Sequence, residues 1–215
     1  MDTAIDLRVA EMLCSRLCHD LISPVGAINS GLELISEFGG EPDDEAMGLI
    51  NGSATQAAGK LQFFRVAYGL AGGGTGLALP AAAEAASILV GGGRTSLDWP
   101  VTEQPEVPAL PGDSLKLLLN MILLAAEALP RGGSLRVRLA PGDNSMAAQV
   151  LAEGEGASFK PEVMAAFDRA CDVDDLTART VQGYYTALVG ERLGVPVEIE
   201  QSASVSLEAR LPVAP

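Results

Sequence analysis

A chain of 215 residues, 48% of them hydrophobic, is long enough to bury one large core or two smaller ones. Its formal charge of −14 excludes a phosphate-backbone binder, because nucleic acid would be repelled over most of the surface. No apolar run has the length of a membrane span: the richest, LKLLLNMILLAAEALP, contains Lys116, Asn120 and Glu127 and reads as a buried helix.

The N-terminal stretch MDTAIDLRVAEML carries acids and no basic segment ahead of an apolar one, so no signal peptide is expected. Cys14, Cys18 and Cys171 form no even framework, and three ligands spaced as Cys14, Cys18 and His19 on one helix cannot surround a metal. The cysteines are therefore expected as small core residues of a reduced, cytoplasmic protein that binds no metal.

From Ile5 to about Phe38 the apolar residues recur at helical spacing. Ala10, Cys14, Leu17, Leu21, Ile28 and Ile35 form a stripe flanked by Leu13, Val25 and Leu32. GGEPDD then breaks the helix. A second helix follows with Met47, Ile50, Ala54, Ala57, Leu61, Phe64 and Tyr68 at heptad steps, ending before AGGGTG. Two long helices on a short loop lie antiparallel, and one hairpin cannot cover both stripes. A four-helix bundle made by a homodimer is the economical solution.

His19 is the single histidine of the chain. Its same-face neighbours on a helix are Ser15, Arg16, Ser23, Gly26 and Ser30, small or polar residues outside the seam. The imidazole is thus expected in solvent, open to the approach of another protein. Pro24 removes the hydrogen bond to the carbonyl of Asp20 and clashes with it, at a cost of about 3 kcal/mol. A kink just past the histidine is the expected consequence.

After the glycines the pattern predicts a helix at Pro80–Leu89, a strand near Leu97–Val101 and a helix from about Asp113 to Leu129. Strands Ser134–Leu139 and Ser145–Leu151 follow, with PGDN as the turn between them. Helices near Pro161–Ala170 and Thr180–Leu193 precede the final strands Val197–Gln201 and Val205–Leu211. Helices and antiparallel strands in this order suggest a two-layer α+β sandwich.

The stretch CHDLISPV resembles the H-box of two-component histidine kinases: His19, an acid next at Asp20, a small hydroxyl at Ser23 and a proline at Pro24. Residues 1–71 resemble the dimerisation and histidine-phosphotransfer hairpin of those kinases, residues 72–76 a glycine linker, and residues 77–215 their ATP-binding domain of the Bergerat fold. LLNMILLAAEALPRGGSLRV resembles the N-box region, with Asn120 at its first asparagine. The second asparagine, a magnesium ligand in that family, falls on Leu124. VLAEGEGA is similar to the adenine-reading box, but its aspartate position holds Ala152. Where a glycine-rich phosphate loop belongs, the chain reads TARTVQGYYTALV. Neither magnesium ligands nor a backbone cradle for a triphosphate is provided, so no ATP site is carried over.

A kinase-like hairpin joined to a degenerate ATP-binding domain resembles the ChpT-type histidine phosphotransferases of alphaproteobacteria. RLCHDLISP and QFFRVAYG are the closest stretches, TVQGYYTALV also agrees, and the likeness covers nearly the whole chain. The resemblance implies that His19 accepts a phosphoryl group from the receiver domain of a hybrid histidine kinase and passes it to the aspartates of response regulators. Such transfer demands positioning and charge compensation, and the receiver can bring its own Mg2+, so no cofactor is expected on this chain. Asp20 could orient or deprotonate the imidazole, Arg16 could offset phosphoryl charge, and Ser23 could contact the phosphoryl group; each is equally readable as a solvated charge or helix softener. Lys60 and Arg65 are candidates for the docking surface. Two other readings stand beside the relay: a self-phosphorylating kinase or ATPase of the same fold, and a non-catalytic protein that docks on or inhibits a kinase or receiver.

Overall fold

The computed structural model describes residues 6–37, 44–70, 78–91, 94–100 and 110–213. The expected loop GGEPDD lies outside them save for Asp44, as do the linker 72–76, the start of the first helix at Ile5, its end at Phe38 and the end of the predicted strand at Val101. Helix α1 spans Leu7–Glu37 with Pro24 inside it, and α2 spans Asp44–Ala67, opening on Asp44 and Glu45, which suit the positive end of the helix dipole. They run antiparallel. Gly31 meets Ile50, and further along α1 the backbone of Asp20 meets Lys60. A Cβ at Gly31 would lie 2.6 Å from Ile50, so the absent side chain is what lets the helices close.

The second unit holds α3 (Leu79–Val90), β1 (Thr95–Asp98), α4 (Gly112–Glu127), β2 (Gly133–Gly142), β3 (Ser145–Glu153), α5 (Pro161–Phe167), α6 (Val181–Leu193), β4 (Val197–Gln201) and β5 (Val205–Pro212). The strands form one sheet in the order β1-β2-β3-β5-β4, with β1 parallel to β2 and the remaining pairs antiparallel. The β2–β3 hairpin turns through Asp143 and Asn144, the latter at φ 54°, a left-handed conformation that asparagine tolerates. Strand alternation separates the faces. Leu135, Val137, Leu139, Met146, Val150, Leu207 and Leu211 point into the core beneath α4, whereas Arg136 and Arg138 reach Asp98 on the outer face. The chain is thus a helical hairpin followed by a two-layer mixture of helices and sheet.

One continuous core joins the two units. Phe63 and Phe64 of α2 are fully buried with Leu117, Leu118 and Met121 of α4, burial that contributes about 3 kcal/mol for each ring. Beside them a polar lock closes the joint. Tyr68 Oη donates to Gln182 Oε1 at 2.9 Å, and Gln182 Nε2 donates to Asn120 Oδ1 at 2.9 Å. Asn120 Nδ2 donates to the carbonyls of Ala67 and Lys116, both at 2.8 Å, and Lys116 Nζ reaches the carbonyl of Gly69. Phe64 stacks on Tyr68 at 5.2 Å and Tyr68 meets Tyr185 edge-on at 5.6 Å. QFFRVAYG and TVQGYYTALV are therefore the two halves of the joint, and every buried polar side chain named in it has a partner.

Several expectations are corrected. The apolar stripe of α1 is only partly covered: Leu13 is buried and Ala10, Leu17, Leu21, Ile28 and Ile35 are half-buried, while Cys14, Val25 and Leu32 are exposed. The cysteines are thus not core residues of the single chain; Cys14 and Cys18 are exposed and Cys171 is half-buried. The α2 seam divides likewise, with Phe64 buried and Met47, Ala54 and Leu61 exposed. Helix α5 ends at Phe167 rather than Ala170, and Arg169 follows at φ 54°, outside helical geometry.

Candidate functional site

A helix of 31 residues presents side chains in every direction, and its second-unit neighbours decide which are covered. The His19 side chain is 88% exposed, as its small-residue face predicts, with Ser15, Ser23, Gly26 and Ser30 also exposed. His19 Nδ1 and Asp20 Oδ1 lie 3.2 Å apart. With the proton on Nδ1 this is a donation to the carboxylate, which leaves the Nε2 lone pair facing solvent. That is the atom and the tautomer a nucleophilic imidazole needs.

Arg16 lines the same cleft as His19, and its guanidinium is engaged in an ion pair there. It turns under α1 and pairs with Glu127 at the end of α4, with only 17% and 23% of the two side chains exposed. Burial opposes the charge on Arg16, but the Glu127 and Asp20 carboxylates outweigh it and hold the guanidinium above its ordinary range. Burial also pushes the Glu127 carboxyl up, against the pull of Arg16, and Glu127 Oε2 has no partner. Arg16 thus fastens α1 to the second unit. Tyr68 is pushed above its ordinary range by burial and remains a neutral donor. Ser23 is exposed but does not line the cleft described next.

His19 stands at the rim of a cleft of about 860 Å³ between α1 and the second unit. Its far wall comes from the segment entering α5, with Phe159 and Lys160, and from Arg179 ahead of α6. Lys160 and Arg179 are exposed and make no ion pair among the described residues, so two unpaired cations line the same cleft as the imidazole, together with the Glu162 carboxylate, in a chain of net charge −14. Lys160, Arg179 and Glu127 were not legible as site residues. The first two stand in unpatterned connections, and only folding brings them opposite α1.

Residues at the positions of the nucleotide boxes are packed rather than displayed. Leu124 and Ala152 are fully buried, Asn120 belongs to the polar lock, and VQGYYTALV is helix α6. Gly154 and Gly156 form the turn after β3, with Gly156 at φ 74°. Among the described residues no group of three His, Cys, Asp or Glu side chains could hold a metal ion, and no helix is long and apolar enough to cross a membrane.

Comparison with known proteins agrees on one relationship. Residues 79–205 match the family described as histidine phosphotransferase C-terminal domain. The protein phosphotransferase ChpT of Brucella abortus (strain 2308) is 40% identical over 202 residues, 94% of this chain and 93% of that one. A solved structure of a bacterial phosphotransferase superposes with a TM-score of 0.75 at 36% identity, covering 96% of this chain and 98% of the other.

Proposed function

The chain belongs to the histidine phosphotransferase family, and on that premise we propose that it relays a phosphoryl group from the receiver aspartate of a hybrid histidine kinase to response-regulator receivers through His19. The observation that carries the reading is an 88% exposed imidazole, oriented by Asp20, at the rim of a cleft that also presents the Lys160 and Arg179 cations. In the first transfer His19 Nε2 attacks the phosphorus of the aspartyl phosphate in line. The N–P bond forms as the acyl-phosphate P–O bond breaks, and the receiver's aspartate leaves as a carboxylate. The imidazole keeps its Nδ1 proton, and Asp20 stabilises the positive charge that the ring acquires. The second transfer is the same step reversed on another receiver.

An aspartyl phosphate is an anion, so Lys160 and Arg179 offset its charge and favour its approach to the cleft. Mg2+ at the receiver's own site would screen the same charge. Arg16 serves here by fixing α1 against α4 rather than by touching phosphate. Ser23, one turn beyond His19 on the exposed face, is assigned to contact with the docked receiver. A homodimer is part of the proposal: Leu32 is 53% and Leu61 51% exposed, and a four-helix bundle would cover such bare apolar side chains on both helices. The second unit is read as a histidine-kinase ATPase-like sandwich whose nucleotide boxes have been filled with core residues, so neither ATP nor ADP is bound.

The test is transfer of radiolabel from a phosphorylated receiver domain. The chain should acquire a base-stable, acid-labile phosphate and pass it to a second receiver. His19→Gln should lose all transfer while melting within about 0.5 kcal/mol of the unmodified protein, since the side chain packs against little. Label on the His19→Gln variant would place the nucleophile elsewhere; a chain that binds receivers and never becomes labelled would be a docking protein instead.

A further inference from the structure

Pro24 has no N–H, so the carbonyl four residues earlier, that of Asp20, has lost its helical donor. That carbonyl is not left bare. Lys60 Nζ, from the opposite arm of the hairpin, donates to it at 2.9 Å. We propose that Lys60 is a positioning residue for phosphotransfer, a cross-hairpin substitute for the missing proline donor that holds the Asp20 backbone, and with it the His19 imidazole, in the transfer geometry. The inference rests on the phosphotransfer reading given above.

Three features make this contact more than a chance meeting of a surface lysine. Its acceptor belongs to the residue whose side chain orients His19, so any movement of the Asp20 backbone moves Oδ1 and the imidazole together. Lys60 is half-buried in a second, smaller recess of about 260 Å³ under α1, where Arg16 and Glu127 already neutralise one another. Although the Asp20 and Glu127 carboxylates also line that recess, the Lys60 ammonium makes its hydrogen bond to the carbonyl dipole of Asp20, a charge-assisted contact. The anchor is also firm. Its neighbour Gly59 is packed so tightly on α3 that a Cβ would lie 2.6 Å from Ile88. The backbone that carries Lys60 is therefore held against the second unit, whose cations Lys160 and Arg179 line the cleft. One lysine links the position of the nucleophile to the surface that receives the phosphoryl donor.

A substitution cycle separates this role from ordinary packing. Lys60→Met keeps the stem and removes the donor; Pro24→Ala restores the N–H that Asp20 lacks and makes Lys60 redundant. Single-turnover transfer from a phosphorylated receiver is measured against receiver concentration for the unmodified chain, each single variant and the double variant. With Pro24 in place, Lys60→Met should lower the limiting rate roughly tenfold, because small misplacements of a reacting group are costly, with the half-saturating concentration unchanged. In the Pro24→Ala background the same substitution should change the limiting rate less than about twofold. Thermal unfolding of the four proteins supplies an independent cycle should Pro24→Ala itself prevent transfer. There Lys60→Met should lower the melting temperature of the chain that keeps Pro24 and leave that of the Pro24→Ala variant unchanged. An unaltered limiting rate for Lys60→Met, a rise in half-saturating concentration alone, or equal losses in both backgrounds overturns the inference. Failure of the unmodified chain to accept phosphate at all overturns the phosphotransfer reading instead, a result the unfolding cycle would not share.

Discussion

Replacing Arg16 with methionine takes from Glu127 the cation that faces it across the joint between α1 and α4. One oxygen of that carboxylate already has no partner, and the pair keeps only 17% and 23% of its side-chain surface. Breaking a fully buried pair costs roughly 3–5 kcal/mol; the remaining exposure puts this one near about 2–3 kcal/mol. For a chain of this length that is a fall of about 4–12 °C in melting temperature. The loss should depend on pH in one direction. Burial holds the Glu127 carboxyl above its ordinary range even with Arg16 opposing it, and without Arg16 it rises further. A carboxyl whose pKa is higher in the folded than in the unfolded chain takes up its proton more readily when folded. The penalty is thus full above the folded pKa and is relieved as pH falls toward the ordinary carboxylate value. Glu127→Gln is the contrast, because the stranded guanidinium cannot shed its proton and the loss should not shrink as pH falls from about 8 to about 5. Scanning calorimetry of both variants at matched protein concentration checks this. A methionine variant that melts with the unmodified chain at pH 8, or loses as much at pH 5, would refute a buried, mutually dependent pair.

Three further outcomes are expected. Leu61→Glu puts a charge on the exposed α2 seam and should give monomers or insoluble protein; sedimentation of the unmodified chain as a well-folded monomer at micromolar concentration would defeat the bundle. Titration calorimetry with ATP and Mg2+ should register no binding, since Leu124 and Ala152 are buried where the family's ligands would stand, and a low-micromolar dissociation constant would revive the kinase reading. Asn120→Leu should cost about 2–3 kcal/mol in urea unfolding, because it strands the buried carbonyl of Ala67 and takes from the Gln182 amide its shortest hydrogen bond. A loss below about 1 kcal/mol would mean that water enters the joint.

Local pattern by itself determined the order of the elements and placed most of them to within a few residues, β1 at Thr95–Asp98 rather than from Leu97 being an exception, since period 3.6 and period 2 are written in single segments and PGDN admits few conformations. It also determined the exposure of His19, because small and polar neighbours on one helical face can be counted from spacing alone. Tertiary structure decided what those segments could not express. Both apolar stripes looked continuous, yet the second unit covers Leu13 and Phe64 and leaves Val25, Leu32 and Leu61 bare, a choice made by which side of the hairpin α4 and α6 occupy. Arg16 shares a helical face with His19 but is long enough to reach Glu127, 111 residues away in the chain. Lys60 was one of two basic residues on α2 with no means of choosing between them. Its acceptor exists only because Pro24 vacates a carbonyl on the other helix, and only the antiparallel register of the pair brings donor and acceptor within 2.9 Å.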